Sequence, residues 1–204
     1  MSREKVPLGY KIATFILGPI FKLYYNPRVI GRENIPKEGA IIVCGNHIHL
    51  MDQCVPILST KRFLRYMAKK EYFDGPFSWF FKCVGCIPVN RSIKDANAKE
   101  KAIEHLRNGG AIGIFPEGTR NRTKEFLLPF KFGAVSMAQK TNAKLVPFGT
   151  TGEYKFRSKN LTVRFGEPFE IGDMTLEEAN KKLEKAIGDL MKTNIKENNR
   201  RKKI

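Results

Sequence analysis

The chain has 204 residues, 42% hydrophobic and 28% charged, enough for one domain of ordinary size with its own core, too few for a second full domain, and too apolar for a disordered chain. Its 37 Lys and Arg against 20 Asp and Glu give a formal charge of +17, so anionic partners are expected: nucleic acid, phospholipid headgroups or phosphorylated metabolites. No zinc finger, RNP sequence or basic-aromatic strand pattern is present and the charges are spread along the chain, which argues against a nucleic-acid module.

In chain order, the first feature is "MSREKVPLGYKIATFILGPIFKLYY". Its uncharged run from Ile12 to Phe21 is too short for the roughly 20 residues of a spanning helix, and no small-x-small cleavage site follows to make it a signal peptide. Basic flanks with Phe15, Phe21, Tyr24 and Tyr25 suit an amphipathic helix lying on a membrane, with a first helix packed on the core as the competing reading. Pro19 is expected to kink it.

Short β-branched runs then alternate with helical patterns. Strands are predicted at 40–44, 63–67, 87–89, 111–115, 145–148 and 161–165, with helices over 95–108 and 130–141. Near the end, Thr175-Leu-Glu-Glu178 reads as a capping box opening a helix whose apolar stripe is Leu176, Ala179, Leu183, Ile187 and Leu190. The order predicts an α/β domain, a central mixed sheet flanked by helices. The expected division is an anchoring segment at 1–25, the domain proper at 26–196 and a basic tail at 197–204.

Cysteines at 44, 54, 83 and 86 suit reduced thiols in a cytoplasmic protein better than a disulfide framework. Cys83 and Cys86 have metal-ligand spacing, but a single C-x-x-C needs two more ligands, so no metal is expected.

The chemistry-bearing residues sit at strand ends. "CGNHIHLMDQ" follows the first of these strands and sets His47 five residues before Asp52. A carboxylate that accepts from one ring nitrogen leaves the other basic, which makes a directed general base. Taken alone the spacing is also compatible with structural or capping roles. "FPEGTRNR", after another strand, supplies Glu117, Gly118, Thr119 and Arg120, a turn suited to a phosphate monoester. "GCIPVNRS" ends in Arg91, and "VPFGTTG" closes a further strand.

In order and spacing, Asn46-His47-x-x-x-x-Asp52, the 85–91 segment, Phe115-Pro-Glu-Gly-Thr-Arg120 and Val146-Pro-Phe148 resemble the four motifs of the glycerolipid acyltransferases, and among these the 1-acylglycerol-3-phosphate acyltransferases. The resemblance runs from about residue 25 to 170. It implies transfer of a fatty acyl group from acyl-CoA or acyl carrier protein to the free hydroxyl of lysophosphatidic acid, with no other cofactor and no acyl-enzyme. His47 would be the base and Asp52 its orienting partner. Arg120 with Gly118 and Thr119 would meet the acceptor phosphate, with Arg91 and Lys69 as further cations and Glu117 holding a glycerol hydroxyl or Arg120. His49 and His105 fall outside the pattern, His105 facing solvent or packing on its helix. The aromatic stretch 72–82 would line an acyl channel, touch lipid or simply pack. The implied site of action is the cytoplasmic face of a membrane, held monotopically; glycerol-3-phosphate or another lysophospholipid is the alternative acceptor, and a non-catalytic lipid-binding protein the distant alternative.

Overall fold

Seven strands form one sheet in the order β1-β7-β6-β2-β5-β3-β4, in a computed structural model that describes residues 6–90, 93 and 95–201. At its centre β2 (Ile41–Gly45) is buried at every position and runs parallel to β5 (Ala111–Ile114) on one side and β6 (Lys144–Thr151) on the other. A strand covered on both faces reads as a continuous apolar run rather than an alternation, which is why Ile41-Ile42-Val43-Cys44 carries no polar residue. β3 (Leu64–Lys69) and β4 (Ile87–Val89) extend the parallel part beyond β5. Beyond β6, β7 (Thr162–Phe165) is antiparallel, being joined by a loop too short for a crossover, and β1 (Arg28–Ile30) closes that edge parallel to β7.

Helices cover both faces. One core lies between the sheet and α5 (Ala96–Arg107), α6 (Gly133–Thr141) and α7 (Leu176–Arg201); the other lies under α1 (Leu8–Tyr25) and α2 (Cys54–Ser59). Two short helices, α3 (Glu71–Asp74) and α4 (Ser78–Cys83), lead from β3 to β4. Adjacent strand residues divide between the cores, Ile42 and Cys44 facing one, Ile41 and Val43 the other, as the two-residue period of a strand requires.

Local signals set the helix ends. Asp95 caps α5 by accepting from Ala98 N–H at 3.0 Å. Thr175 and Glu178 close the capping box reciprocally, with Thr175 N–H on Glu178 Oε2 at 2.8 Å and Glu178 N–H on Thr175 Oγ1 at 3.2 Å. α6 begins later than its apolar pattern suggests because Lys131 N–H is drawn to the Pro116 carbonyl at 2.9 Å. α7 runs through residues 197–201, where a basic tail is expected: Glu197 pairs with Arg28 of β1 and Arg164 of β7, which ties the last turns to the sheet edge. Residues 202–204 lie outside the described ones. His105 is buried, its Nε2 3.2 Å from the Ala111 carbonyl, so it packs rather than facing solvent.

α1 has two unlike faces and continues across Pro19. Tyr10, Gly18 and Phe21 are buried, with Gly18 set close against Leu58 of α2. Leu8, Ile12, Phe15, Ile16, Ile20 and Leu23, spaced by threes and fours, are exposed. Among the described residues no helix is long and apolar enough to cross a membrane.

Candidate active site

The turn between β2 and α2 is folded by its own polar side chains. Asn46, buried at the strand end, donates through Nδ2 to the Thr150 carbonyl (2.9 Å) and accepts from Thr150 N–H (2.7 Å), fastening the turn to β6. Asp52 is 0% exposed. Its Oδ2 accepts the backbone N–H groups of Ile48 and His49, each at 2.7 Å, and this curls the chain so that His47 Nδ1 stands 2.8 Å from the same oxygen. An ionised carboxylate only accepts, so the ring proton is assigned to Nδ1 and Nε2 is the basic nitrogen. The His47 ring lines a cleft of about 230 Å³.

The segment after β5 holds His47 by both sides of its backbone. His47 N–H donates to Glu117 Oε1 (2.7 Å), and its carbonyl accepts from Asn121 N–H (2.6 Å). The Phe115 ring stacks on the imidazole, with centroids 4.0 Å apart and planes within 8°. Glu117 Oε2 accepts from Leu128 N–H at 2.9 Å, so both carboxylate oxygens are engaged by backbone and the buried side chain fastens loops together; the expected contact with Arg120 is not formed. Desolvation raises its pKa, opposed by those two N–H groups. Nothing in "PEGTR" distinguishes a fastening carboxylate from a ligand-binding one, since the distinction lies in which backbone groups the fold brings to it.

The cleft floor is apolar, from Met67, Val89, Ile114 and Phe115, while Asn90, Gly118 and Lys131 add polar atoms. Gly118 has φ +72°, and a β-carbon there would stand 2.9 Å from Lys131 Cε, so backbone conformation and close approach both require glycine. Arg120 is half-buried and has no hydrogen-bond or ion-pair partner among the described residues; Thr119 is exposed. Lys69 stands at the carboxyl end of β3 but pairs with Glu71 at 2.7 Å and does not line the cleft. Arg91 lies outside the described residues. The sequence reading missed Lys131 and Asn121: a lysine at a helix entrance and an asparagine in a polar loop carry no signal of their own.

Two thiols adjoin the site and are held as thiols. Burial raises Cys44 well above its ordinary pKa, and burial with the charge of Asp52 pushes Cys54 up to about 12, so neither is a ready thiolate nucleophile. Among the described residues no group of three or more His, Cys, Asp or Glu side chains is placed to hold a metal.

A sheet that sets a carboxylate-oriented histidine at the carboxyl end of its central strand, beside an apolar cleft that Lys131 also lines, fits group transfer between a phosphate-bearing and an apolar substrate. Residues 26–151 match the acyltransferase family model, and the chain belongs to that family. It is 41% identical over 141 residues to the 1-acyl-sn-glycerol-3-phosphate acyltransferase of Borreliella burgdorferi, a match covering 68% of this chain and 56% of that one. To the enzyme of that name from Bacillus subtilis it is 31% identical, over 80% of this chain and 84% of the relative. The crystal structure of the 1-acyl-sn-glycerophosphate (LPA) acyltransferase PlsC from Thermotoga maritima superposes with a TM-score of 0.75 at 26% identity, covering 90% of this chain and 78% of that one.

Proposed function

We propose that this chain transfers a fatty acyl group from acyl-CoA or acyl carrier protein to the free hydroxyl of 1-acylglycerol-3-phosphate, giving phosphatidic acid. The observation that carries the reading is the His47–Asp52 pair at 2.8 Å, with His47 itself lining a cleft. His47 Nε2 takes the proton from the acceptor hydroxyl as its oxygen attacks the thioester carbonyl. Asp52 stabilises the imidazolium, and collapse of the tetrahedral intermediate expels the thiolate, which recovers the proton from His47. Cys44 and Cys54 are packing groups and no acyl-enzyme forms. Arg120, half-buried beside Gly118 and Thr119 and unpaired among the described residues, receives the acceptor phosphate. Lys131 is the cation that lines the cleft; Lys69 and Arg91 are further candidate cations for the phosphate, and Glu117 supports the site rather than touching substrate.

The acceptor is a membrane lipid, so the domain works at a bilayer surface, monotopically and on the cytoplasmic face. The exposed row on α1 supports this, led by Phe15 at 82% exposure, with Phe77 and Trp79 of the α3–α4 segment and Phe156 exposed as well. Phe156 touches Tyr24 at the end of α1, ring centroids 5.3 Å apart, and lies among Lys155, Arg157 and Lys159. Apolar burial and attraction of about 1 kcal/mol per basic residue at an anionic surface act together there.

The test is release of free thiol by purified protein supplied with a panel of acyl-CoA and acyl-carrier-protein donors and lysophosphatidic acid, glycerol-3-phosphate or other lysophospholipids. Release that depends on lysophosphatidic acid, and is lost in folded His47→Ala protein, is the expected result. Release that the His47→Ala variant retains would remove the mechanism, and a preference for another acceptor would replace the substrate.

A further inference from the structure

Asp52 is fully buried, yet its two oxygens are treated unequally. Oδ2 accepts three donors, while Oδ1 meets none at hydrogen-bonding geometry among the described residues. A bare carboxylate oxygen inside a protein is costly unless a donor can reach it. A second buried polar atom is in the same position: the hydroxyl of Tyr154, on the loop after β6, also meets no partner at hydrogen-bonding geometry among the described residues. The two groups are near enough to act on each other. The Tyr154 hydroxyl is held well above the ordinary phenol range, first by burial and then by the nearby charge of Asp52.

The Tyr154 ring has little freedom to leave. It stacks on His49, centroids 4.4 Å apart and planes within 13°, and its edge meets Tyr25 of α1 at 5.4 Å. His49 is the residue whose backbone N–H donates to Asp52 Oδ2. Asp52 Oδ2 is therefore bonded to the turn and the imidazole, and one of the residues it accepts from, His49, carries the stacked Tyr154 ring.

We infer that Tyr154 is a positioning residue for the His47–Asp52 pair: its hydroxyl donates to Asp52 Oδ1, filling the acceptor the turn leaves open and keeping Oδ2 on His47 Nδ1. The inference rests on the proposed general-base role of His47. It has a directional consequence. A donor on Oδ1 withdraws charge from the carboxylate, which then stabilises the imidazolium less, so loss of the Tyr154 hydroxyl should move the acid limb of the activity profile upward. The other titratable groups around Asp52 are His47, His49, Cys54 of α2, Tyr66 of β3 and Glu117 after β5, with Tyr25 of α1 behind the stack. Of these, Tyr66 is the control, because its hydroxyl is also buried, also lacks a partner at hydrogen-bonding geometry and also feels the charge of Asp52.

The experiment is the pH profile of kcat/KM for the full chain with an acyl thioester and lysophosphatidic acid in detergent micelles. Tyr154→Phe keeps the ring and its stacking and should move the acid limb up by about one pH unit, as expected for loss of a hydrogen bond to a charged group, with KM for the acceptor within about twofold of wild type. Tyr66→Phe should leave the limb in place. Placing 3,5-difluorotyrosine at 154, a stronger donor of nearly the same shape, should move the limb down and keeps the test usable if Tyr154→Phe fails to fold. An unmoved limb in both Tyr154 variants overturns the inference, as does an equal shift in Tyr66→Phe. Turnover by folded His47→Ala protein would instead overturn the base reading, so the two failures are told apart.

Discussion

The turn after β2 and helix α1 treat their side chains in opposite ways. In the turn almost every polar group is engaged: Asn46 in both directions, His47 by backbone N–H, carbonyl and ring, and Asp52 through three donors on one oxygen. In α1 only a narrow strip is committed to the core, while a whole row of large apolar side chains has no cover. The first is what a reacting group needs, since misplacement by about 1 Å can cost around a hundredfold in rate. The second is what adhesion to a fluid surface needs, because burial of apolar area rewards contact without demanding geometry.

The contrast can be broken most severely at its rigid end. His47→Ala should lower turnover by about 10² to 10⁴, the range general-base assistance supplies, with circular dichroism unchanged; near wild-type rates from folded protein would mean the turn is rigid for another reason. The adhesive end should fail differently. Phe15→Glu with Ile20→Glu alters only exposed positions, so the protein should remain folded and cease to float with anionic liposomes while still acylating lysophosphatidic acid in micelles. Phe21→Ala, on the buried side of the same helix, should instead cost about 3–5 kcal/mol of stability, measured by urea unfolding. Removing residues 1–25 altogether would mix the two effects.

Arg120→Ala sharpens the comparison within the site, because this cation is not tied down as His47 is. It should raise KM for lysophosphatidic acid about tenfold or more and leave KM for the acyl donor nearly unchanged; equal losses would mark it as structural. The smallest expected effect is on pH-dependent stability. Desolvation raises the folded-state pKa of Glu117, so between its unfolded value of about 4.3 and that raised value the folded state binds the extra proton. The contribution of this group to stability therefore falls as pH rises through that window and returns as pH drops back through it. A thermal-denaturation series from pH 7 to pH 4 should show wild type gaining on Glu117→Gln; a constant difference would mean the carboxyl is not desolvated in the folded state.

What the sequence determined by itself was local. The apolar run Ala40 to Cys44 announced a strand, Thr175 and Glu178 announced the start of α7, and the spacing of His47 and Asp52 permitted their pairing without requiring it, because each of these signals lies within a few residues of chain. The tertiary structure decided whatever depends on groups distant in sequence. Glu117 became a fastener because Leu128 and His47 N–H groups arrive at its two oxygens. Residues 197–201 became helix because Arg28 and Arg164 meet Glu197, although composition alone suggested a solvated tail. Lys131 entered the cleft because Gly118 has no side chain to exclude it. Tyr154 came to Asp52 because β6 lies beside β2, which places the start of the β6–β7 loop against the turn. A residue's type fixes what it can donate, accept or bury, but the partner is chosen by strand order and register, and neither is written at the residue itself.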